Sequence, residues 1–160
     1  MEINVYNTNK KRLKTVVAEA AEFFAHQLMN SRMADNIELD IEFDPKLDCQ
    51  GVCINEDDTK RSRFFTIQLR NTREDTDYDI IQTLAHEMVH VKQYAKNEHV
   101  KRFATAKGGL KIESVWLGKP WRPKRDESGY YDAPWEIEAY GREVGLMARW
   151  NKYNENKKSK

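Results

Sequence analysis

Apolar residues recur every three to four positions over three segments of the chain, which is the spacing of amphipathic helices. The first segment runs from Lys10 to about Asn30, and the second runs from about Asp77 to Asn97. The third covers Trp135 to Trp150 and follows Pro134, a residue that the first turn of a helix tolerates. We therefore expect three main helices. The predicted inward face of the last one consists of Ile137, Tyr140, Val144, Met147 and Ala148.

Between the first two helices, apolar and polar residues alternate, which is the period of strands with one buried face. Residues Ile37–Phe43 alternate without exception, and further strands are expected around Val52–Ile54 and Phe64–Arg70. The segment Glu98–Ala133 shows neither period and is interrupted by glycine and proline. We expect a short hairpin around Lys111–Trp121 within this long loop. The pattern predicts an α+β fold: an N-terminal helix, a small three-stranded sheet, a second helix, a loop or hairpin, and a C-terminal helix.

Length and composition indicate one domain. The chain has 160 residues, of which 39% are hydrophobic and 11% aromatic, and this is enough for a single core. We expect residues 1–150 to form that domain and the polar, lysine-rich residues 151–160 to be a frayed tail. With a net charge of +1 the whole molecule has no strong field towards nucleic acid.

The sequence also bears on the compartment. It shows no apolar run long enough for a membrane span and no N-terminal signal pattern, so we predict a cytoplasmic protein. Cys49 and Cys53 are the two cysteines, and no second pair is present to complete a zinc site with them. We expect both to be reduced, structural thiols.

The segment His86-Glu87-Met88-Val89-His90 is an H-E-x-x-H motif within the second predicted helix. Two histidines four residues apart lie about 40° apart around a helix, so both can bind one metal ion. A catalytic zinc has three protein ligands and leaves its fourth position to water. Glu87 follows the first histidine directly and is placed to take the proton of that water. The motif therefore predicts a zinc-dependent hydrolase with a third ligand elsewhere in the chain.

The third ligand has to come from a downstream residue. Glu136 opens the segment Glu136–Tyr140 at the start of the last predicted helix. This segment resembles the E-x-x-A pattern with which the glutamate-ligand zinc metallopeptidases, the gluzincins, supply their third ligand from a second helix. Glu138 is the main alternative, because it lies two residues away and faces another side of the helix. His99 is a weaker alternative, which could serve only if the motif helix ends near Asn97; we expect both His99 and His26 to be solvated surface residues.

The order of the predicted elements also resembles a minimal zincin domain, as in small SprT-like and phage-encoded metallopeptidase-like proteins. The resemblance implies that His86, His90 and Glu136 bind Zn²⁺ and that Glu87 is the catalytic base. Two features differ from these families. Tyr140 stands where many gluzincins have an aspartate, and the third histidine and zinc ribbon of SprT proteins are not evident. The resemblance thus implies a peptidase acting on a protein or peptide, without identifying which one.

Several interpretations stay open at the level of sequence. Residues 98–128 contain eight Lys or Arg against four Asp or Glu, which indicates either a solvated loop or a surface for nucleic acid. The second reading would suit a catalytically silent, zinc-containing module that acts on DNA or DNA-bound proteins. Tyr130 and Tyr131 either pack or place a phenol at the site. In a peptidase, we expect the strand Phe64–Arg70 to be the edge that pairs with an extended peptide.

Overall fold

The structure is a computed structural model that describes residues 1–57, 59–106, 109–123 and 129–159. It has an α+β fold, as the sequence predicts. In chain order the elements are β1 (Glu2–Tyr6), α1 (Lys11–Leu28), α2 (Ser31–Ala34), β2 (Glu38–Phe43), β3 (Gly51–Asn55), β4 (Phe64–Leu69), α3 (Asp77–Ala95), β5 (His99–Ala106), β6 (Gly109–Trp116), β7 (Lys119–Pro120) and α4 (Pro134–Lys158). Strand β1 was not expected, because five residues are too few to show a clear period.

The first four strands form one sheet in the order β1-β2-β4-β3. Strands β1, β2 and β4 are parallel, whereas β3 is antiparallel to β4 and forms one edge of the sheet. Strand β4 is therefore an interior strand, and the expectation that it pairs with a peptide is wrong. Phe65, Ile67 and Leu69 of β4 are buried in the core, and Thr66 between them is 8% exposed, as suits a strand with a neighbour on each side. The edge position belongs to β3.

Helices α1 and α3 pack against the sheet and against each other, and their apolar residues join one core. Helix α4 packs along α3, and Trp150 near its C-terminal end contacts Phe23 of α1. Helix α3 is consequently enclosed, and every residue from Leu84 to Gln93 is buried. The polar residues of that stretch can be accommodated only if neighbouring elements supply hydrogen-bond partners.

Both ends of α3 are well defined. At its start the Thr76 hydroxyl accepts a hydrogen bond from the Asp79 amide at 3.2 Å, and the Asp79 carboxylate accepts one from the Thr76 amide at 2.9 Å. Such a capping box stabilises a helix by about 1 kcal/mol. At its end Asn97 adopts the left-handed conformation, with φ of 57°, which turns the chain into β5.

Helix α4 differs from the sequence-based prediction in length. It continues to Lys158, so the expectation of a frayed tail over residues 151–160 is wrong as far as that residue. Tyr153 packs on Phe23 with 5.1 Å between ring centroids, and Lys157 pairs with Glu19 at 2.9 Å. These contacts with α1 hold the last turns in place, and a composition-based argument does not contain them.

The inward face of α4 was also wrongly predicted. Ile137 and Val144 are 57% and 67% exposed. The buried residues are Glu136, Ala139, Leu146, Met147 and Trp150, of which the sequence-based prediction included Met147 alone. The helix is rotated so that a glutamate, and not the neighbouring isoleucine, faces α3. The reason for this rotation lies in the polar surface of α3, described below.

Strands β5, β6 and β7 form a second, three-stranded antiparallel sheet. The expected hairpin around Lys111–Trp121 is therefore present but begins earlier, at His99. Leu117 and Gly118 both have positive φ, 48° and 79°, as a two-residue hairpin turn requires. Part of the basic segment noted in the sequence, Lys107 and residues 124–125, lies outside the described residues. Within the described ranges, no helix combines the length and the apolar character needed to cross a membrane.

Candidate metal centre

The structure brings His86 and His90 of α3 together with Glu136 in the first turn of α4. The Glu136 Oε2 atom lies 3.4 Å from His86 Nε2 and 3.6 Å from His90 Nε2. All three side chains are buried, and their potential ligand atoms lie within 4.8 Å of one another. These are the three residues that the resemblance to zincins implied as ligands.

This arrangement fits a divalent metal ion. Ligand atoms bound at about 2.0–2.2 Å in tetrahedral geometry lie roughly 3.4 Å apart, which is close to the distances observed here. Glu136 Oε2 is buried and has no hydrogen-bond partner among the described residues. A buried carboxylate oxygen without a donor is costly unless a cation neutralises it. The three residues therefore form a group that can hold a metal ion.

Each histidine is oriented by a hydrogen bond at its other ring nitrogen. Nδ1 of His86 lies 2.9 Å from Glu143 Oε2, and Nδ1 of His90 lies 2.8 Å from Gln93 Oε1. Both partners are acceptors at these atoms, so both Nδ1 atoms carry the proton and both Nε2 lone pairs point to the shared centre. The site thus has the tautomers that metal binding requires.

Glu138, the alternative third ligand, takes part in a separate network. Its Oε1 atom is 2.7 Å from Lys92 Nζ, and its Oε2 atom accepts a hydrogen bond from Gln93 Nε2 at 3.0 Å. Because the amide nitrogen of Gln93 is committed to Glu138, its oxygen faces His90. Glu138 therefore acts on the site through Gln93 and lies outside the group formed with Glu136.

Local electrostatics favour the ionised form of Glu136. Burial opposes its ionisation, but the two histidines, whose Nε2 atoms lie 3.4 and 3.6 Å from Oε2, outweigh burial and lower the pKa of Glu136 to about 2. For His86, burial opposes protonation, but the carboxylates around the ring outweigh burial and raise its pKa. The centre therefore combines a carboxylate with imidazoles in an anionic environment, as suits a cation.

Glu87 lies at the boundary between α3 and the edge strand β3. Burial raises the pKa of its carboxyl group, although the two histidines and the Cys53 backbone amide act in the opposite direction. A raised carboxyl pKa suits a group that accepts and later returns a proton near neutral pH. Glu87 is thus a carboxylate of raised pKa that lies beside the candidate metal ligands without belonging to the ligand group.

Gly51 allows β3 to approach α3 at this point. A Cβ atom added there would lie 2.6 Å from Thr83 Cγ2 and 3.1 Å from Glu87 Oε1. These distances are too short for a side chain, so glycine is required for the close approach. The two cysteines near this contact are both free: Cys49 is exposed and Cys53 is partly buried.

A cleft of 480 Å³ opens beside His86 and Glu87. Three tyrosines line it: Tyr130, Tyr131 and Tyr140. The Tyr140 ring packs edge-on against His86 at 4.6 Å, and the Tyr130 phenol is a hydrogen-bonding neighbour of Glu136. The sequence left open whether Tyr130 packs or places a phenol at the site, and its position beside Glu136 supports a phenol at the site.

The prediction for His99 was wrong. Its side chain is buried, with 4% of the residue exposed, and burial lowers its pKa to about 4. The ring stacks on Trp135 at 4.1 Å and on Tyr94 at 5.2 Å. This aromatic packing joins the β5–β6 hairpin to α4 and overrides the polar character of the residue. His26 is a surface residue as expected and lies 3.4 Å from Asp35.

Glu143, like Gln93, is a residue of the centre that the sequence analysis did not single out. It lies seven residues after Glu136, so two helical turns place both carboxylates on the same side of α4. The spacing alone was a usable signal, since a histidine ligand needs an acceptor for its second nitrogen.

Comparison of the chain with models of protein families, with curated proteins and with solved structures found no match.

Proposed function

We propose that this protein is a zinc-dependent peptidase in which His86, His90 and Glu136 bind the ion and Glu87 is the general base. The observation that carries the proposal is the convergence of those three side chains, with both histidines oriented through Nδ1, beside a carboxylate of raised pKa. A buried motif of this composition next to an open cleft is typical of a hydrolytic centre. Zinc is proposed from the ligand types, two imidazoles and one carboxylate.

When bound, the metal supplies Lewis acidity, which lowers the pKa of a coordinated water towards about 7. Glu87 then accepts the proton of the attacking water and returns it to the departing amine. The Tyr130 phenol, next to Glu136, is placed to donate a hydrogen bond to the negative charge that develops on the carbonyl oxygen. Each of these steps uses a group that lines the cleft or lies at its base.

Strand β3 is the proposed docking edge for the peptide. On either side of β3, the Gln50 carbonyl accepts a hydrogen bond from the Arg70 amide, and the Glu56 amide donates one to the Phe64 carbonyl. In an antiparallel ladder the bonding residues alternate, so Gly51, Cys53 and Asn55 direct their amide groups away from the sheet. The Cys53 amide already donates to Glu87, so the amides of Gly51 and Asn55 are the ones available to an extended chain, whose recognition through its main chain would limit side-chain preference.

The substitution Glu87→Gln tests the proposal. It keeps the size of the side chain and removes the base, so hydrolysis of an unfolded protein substrate should fall by at least about 100-fold. Metal content by atomic spectrometry and the far-UV circular dichroism spectrum should match those of the unmodified protein. Glu22→Gln, on the exposed face of α1, is the matched control and should leave all three measurements unchanged.

Retained hydrolysis in Glu87→Gln would refute the assigned base. Absence of hydrolysis in the zinc-loaded unmodified protein, together with DNA binding that weakens with salt and is unaffected by Glu87→Gln, would instead identify the silent binding module.

A further inference from the structure

A second cavity, of 300 Å³, is bordered by one strand from each sheet. Four consecutive residues of β3, Val52–Asn55, line it, and so do the first three residues of β5, His99–Lys101. Because successive side chains of a strand point to opposite faces, a cavity lined by consecutive residues meets the strand along its edge. Strands β3 and β5 are both terminal in their sheets. The cavity is therefore a gap between two strand edges.

The edge of β3 offers main-chain groups to this gap. Asn55 stands opposite Phe65 but lies next to Glu56, which bonds to the continuation of β4. Since bonding residues alternate along an antiparallel ladder, Asn55 directs its amide and carbonyl groups away from β4. Neither group has a hydrogen-bond partner among the described residues, and Asn55 lines the gap.

The edge of β5 shows the same pattern. The Glu98 carbonyl accepts a hydrogen bond from the Leu117 amide, and the Ser114 carbonyl accepts one from the Trp121 amide just after β7. Lys101 stands opposite Ser114, so Lys101 does not bond to β6 and directs its main-chain groups to the free edge. Lys101 lines the gap as well, and its main-chain groups likewise lack a partner within the described ranges.

The gap has the volume of a short piece of strand. Two residues of an extended chain, with a rise of about 3.3 Å per residue, a strand spacing of about 4.8 Å and a layer spacing of about 10 Å, occupy roughly 320 Å³. The cavity has 300 Å³. A chain lying in it would bond to β3 through alternate residues and to β5 through the residues between them. Free main-chain groups on both sides therefore favour an extended polypeptide over a compact ligand.

The gap continues the metal-centre cleft along β3. Gln50 and Gly51 line the cleft, and the residues that follow them line the gap. The Cys53 amide contacts the proposed base Glu87, and Asn55 lies two residues further on, about 7 Å along the strand. A peptide that pairs with β3 at the cleft and stays extended thus enters the gap about two residues from the reacting bond.

We propose that β5 is a second docking edge and that the substrate is an extended polypeptide segment held between β3 and β5. This inference rests on the proposed peptidase function and narrows its substrate class. In a helix, or in a strand already paired on both sides, the main-chain groups are bonded internally and cannot bond to β3 and β5. We therefore expect cleavage to require a segment that is free of secondary structure on both sides of the chain over the length of the gap.

The test is an amide-to-ester scan of a bound peptide. A fluorescent peptide is selected from a random pool by its binding to the zinc-loaded Glu87→Gln variant, and each backbone N–H is then replaced in turn by an ester oxygen. Fluorescence anisotropy should show affinity losses of about 2–10-fold each, the effect of one hydrogen bond, at two or more consecutive residues. A peptide that bonds to β3 alone would lose affinity at every second residue only.

A proline at position 101 tests the contribution of β5 directly. Lys101→Pro, made in the Glu87→Gln background, removes the outward amide hydrogen and leaves the bonds between β5 and β6 intact, as an edge strand tolerates. It should abolish the losses at alternate residues of the peptide and preserve the others. Lys101→Ala keeps the amide and is the matched control for the side chain and its charge. The far-UV circular dichroism spectrum checks the fold; if Lys101→Pro does not fold, the consecutive or alternate pattern in the parent protein decides.

The binding scan separates failure of the second edge from failure of the proposed function. If the unmodified protein hydrolyses nothing while losses at consecutive residues are seen, the second edge stands and the peptidase falls. Losses at alternate residues only, losses at consecutive residues that survive in folded Lys101→Pro, or a pool from which no peptide binds would overturn the second edge.

Discussion

Glu136 and Glu138 lie two residues apart on one helix, but we expect them to have different roles. Replacing each of them separately by glutamine should show that Glu136 binds metal and that Glu138 stabilises the packing of α3 and α4. Glu136 Oε2 faces both histidines and lacks a donor among the described residues, whereas both oxygens of Glu138 are engaged, one of them with Lys92. We therefore expect the two substitutions to change thermal stability in different ways. Glu136→Gln should remove the stabilisation by metal, and Glu138→Gln should lower the stability of the metal-free protein.

The magnitudes follow from linkage. A ligand present at 100 times its dissociation constant stabilises the folded state by about 2.7 kcal/mol. For a domain of this size, each kcal/mol shifts the melting temperature by about 2–4 °C, so zinc should raise it by roughly 5–11 °C. If Glu136→Gln weakens zinc binding about 100-fold, the same concentration stabilises by only about 0.4 kcal/mol, a shift of roughly 1–2 °C.

The expected cost of Glu138→Gln comes from Lys92, which is 4% exposed. The Lys92 ammonium group keeps Glu98 at 2.6 Å but loses a charged partner at 2.7 Å. Loss of a charge-assisted hydrogen bond costs about 1.5–3 kcal/mol, so the metal-free variant should melt roughly 3–12 °C lower. The glutamine side chain introduced at position 138 can still accept the hydrogen bond from Gln93 through its oxygen. Most of the rise in melting temperature caused by zinc should therefore persist.

The assay is thermal unfolding followed by circular dichroism, with excess chelator and with zinc, and with metal content measured on the same samples. A rise with zinc in Glu136→Gln equal to that of the unmodified protein would refute Glu136 as a ligand. Loss of the rise in Glu138→Gln alone would transfer that role to Glu138. Either result would contradict the grouping of Glu136 with His86 and His90.

Two further substitutions test how the centre is held. Gly51→Ala places a Cβ 2.6 Å from Thr83, so we expect about 1–3 kcal/mol of destabilisation in urea unfolding and a clear loss of hydrolysis. Gly145→Ala is the control, because Gly145 lies in α4 with open space at the added Cβ, and it should stabilise the protein by about 0.4–1 kcal/mol. Equal effects at both glycines would contradict the close approach of β3 to α3 at Gly51. Glu143→Gln weakens the hydrogen bond that orients His86, so zinc affinity measured by competition with a chelating dye should fall about 10–100-fold, and unchanged affinity would count against the orienting role.

The features that the sequence predicted correctly depend on short-range patterns. The α+β fold follows from the alternation in β2 and the helical periods of α1 and α3, each of which is visible within one segment. The motif residues His86 and His90 are likewise four positions apart on one helix. The grouping of Glu136 with them was reached by resemblance, and the structure brings the three side chains together.

The features that the sequence did not predict depend on contacts between distant segments. Residues around Phe64–Arg70 show a strand, but the sheet order that makes β4 interior is a tertiary property. The burial of His99 results from stacking on Trp135, 36 residues later in the chain. The rotation of α4 has the same origin, since Ile137 would face α3 if apolar periodicity alone decided.

The rotation of α4 is explained by the polar residues buried in α3. Between Leu84 and Gln93 that helix buries five polar side chains, at His86, Glu87, His90, Lys92 and Gln93. An apolar face of α4 would remove the carboxylate partner of His86 and one partner each of Lys92 and Gln93, at a cost of about 1–3 kcal/mol for each unmade hydrogen bond.

Three glutamates of α4 contact these buried polar residues of α3. Glu143 bonds to His86, Glu138 bonds to Lys92 and Gln93, and Glu136 approaches both histidines. The docking of α4 and the assembly of the metal centre are therefore one event, because the same helix face performs both. A metal ion shared between α3 and α4 must stabilise their packing by the same free energy with which that packing favours metal binding.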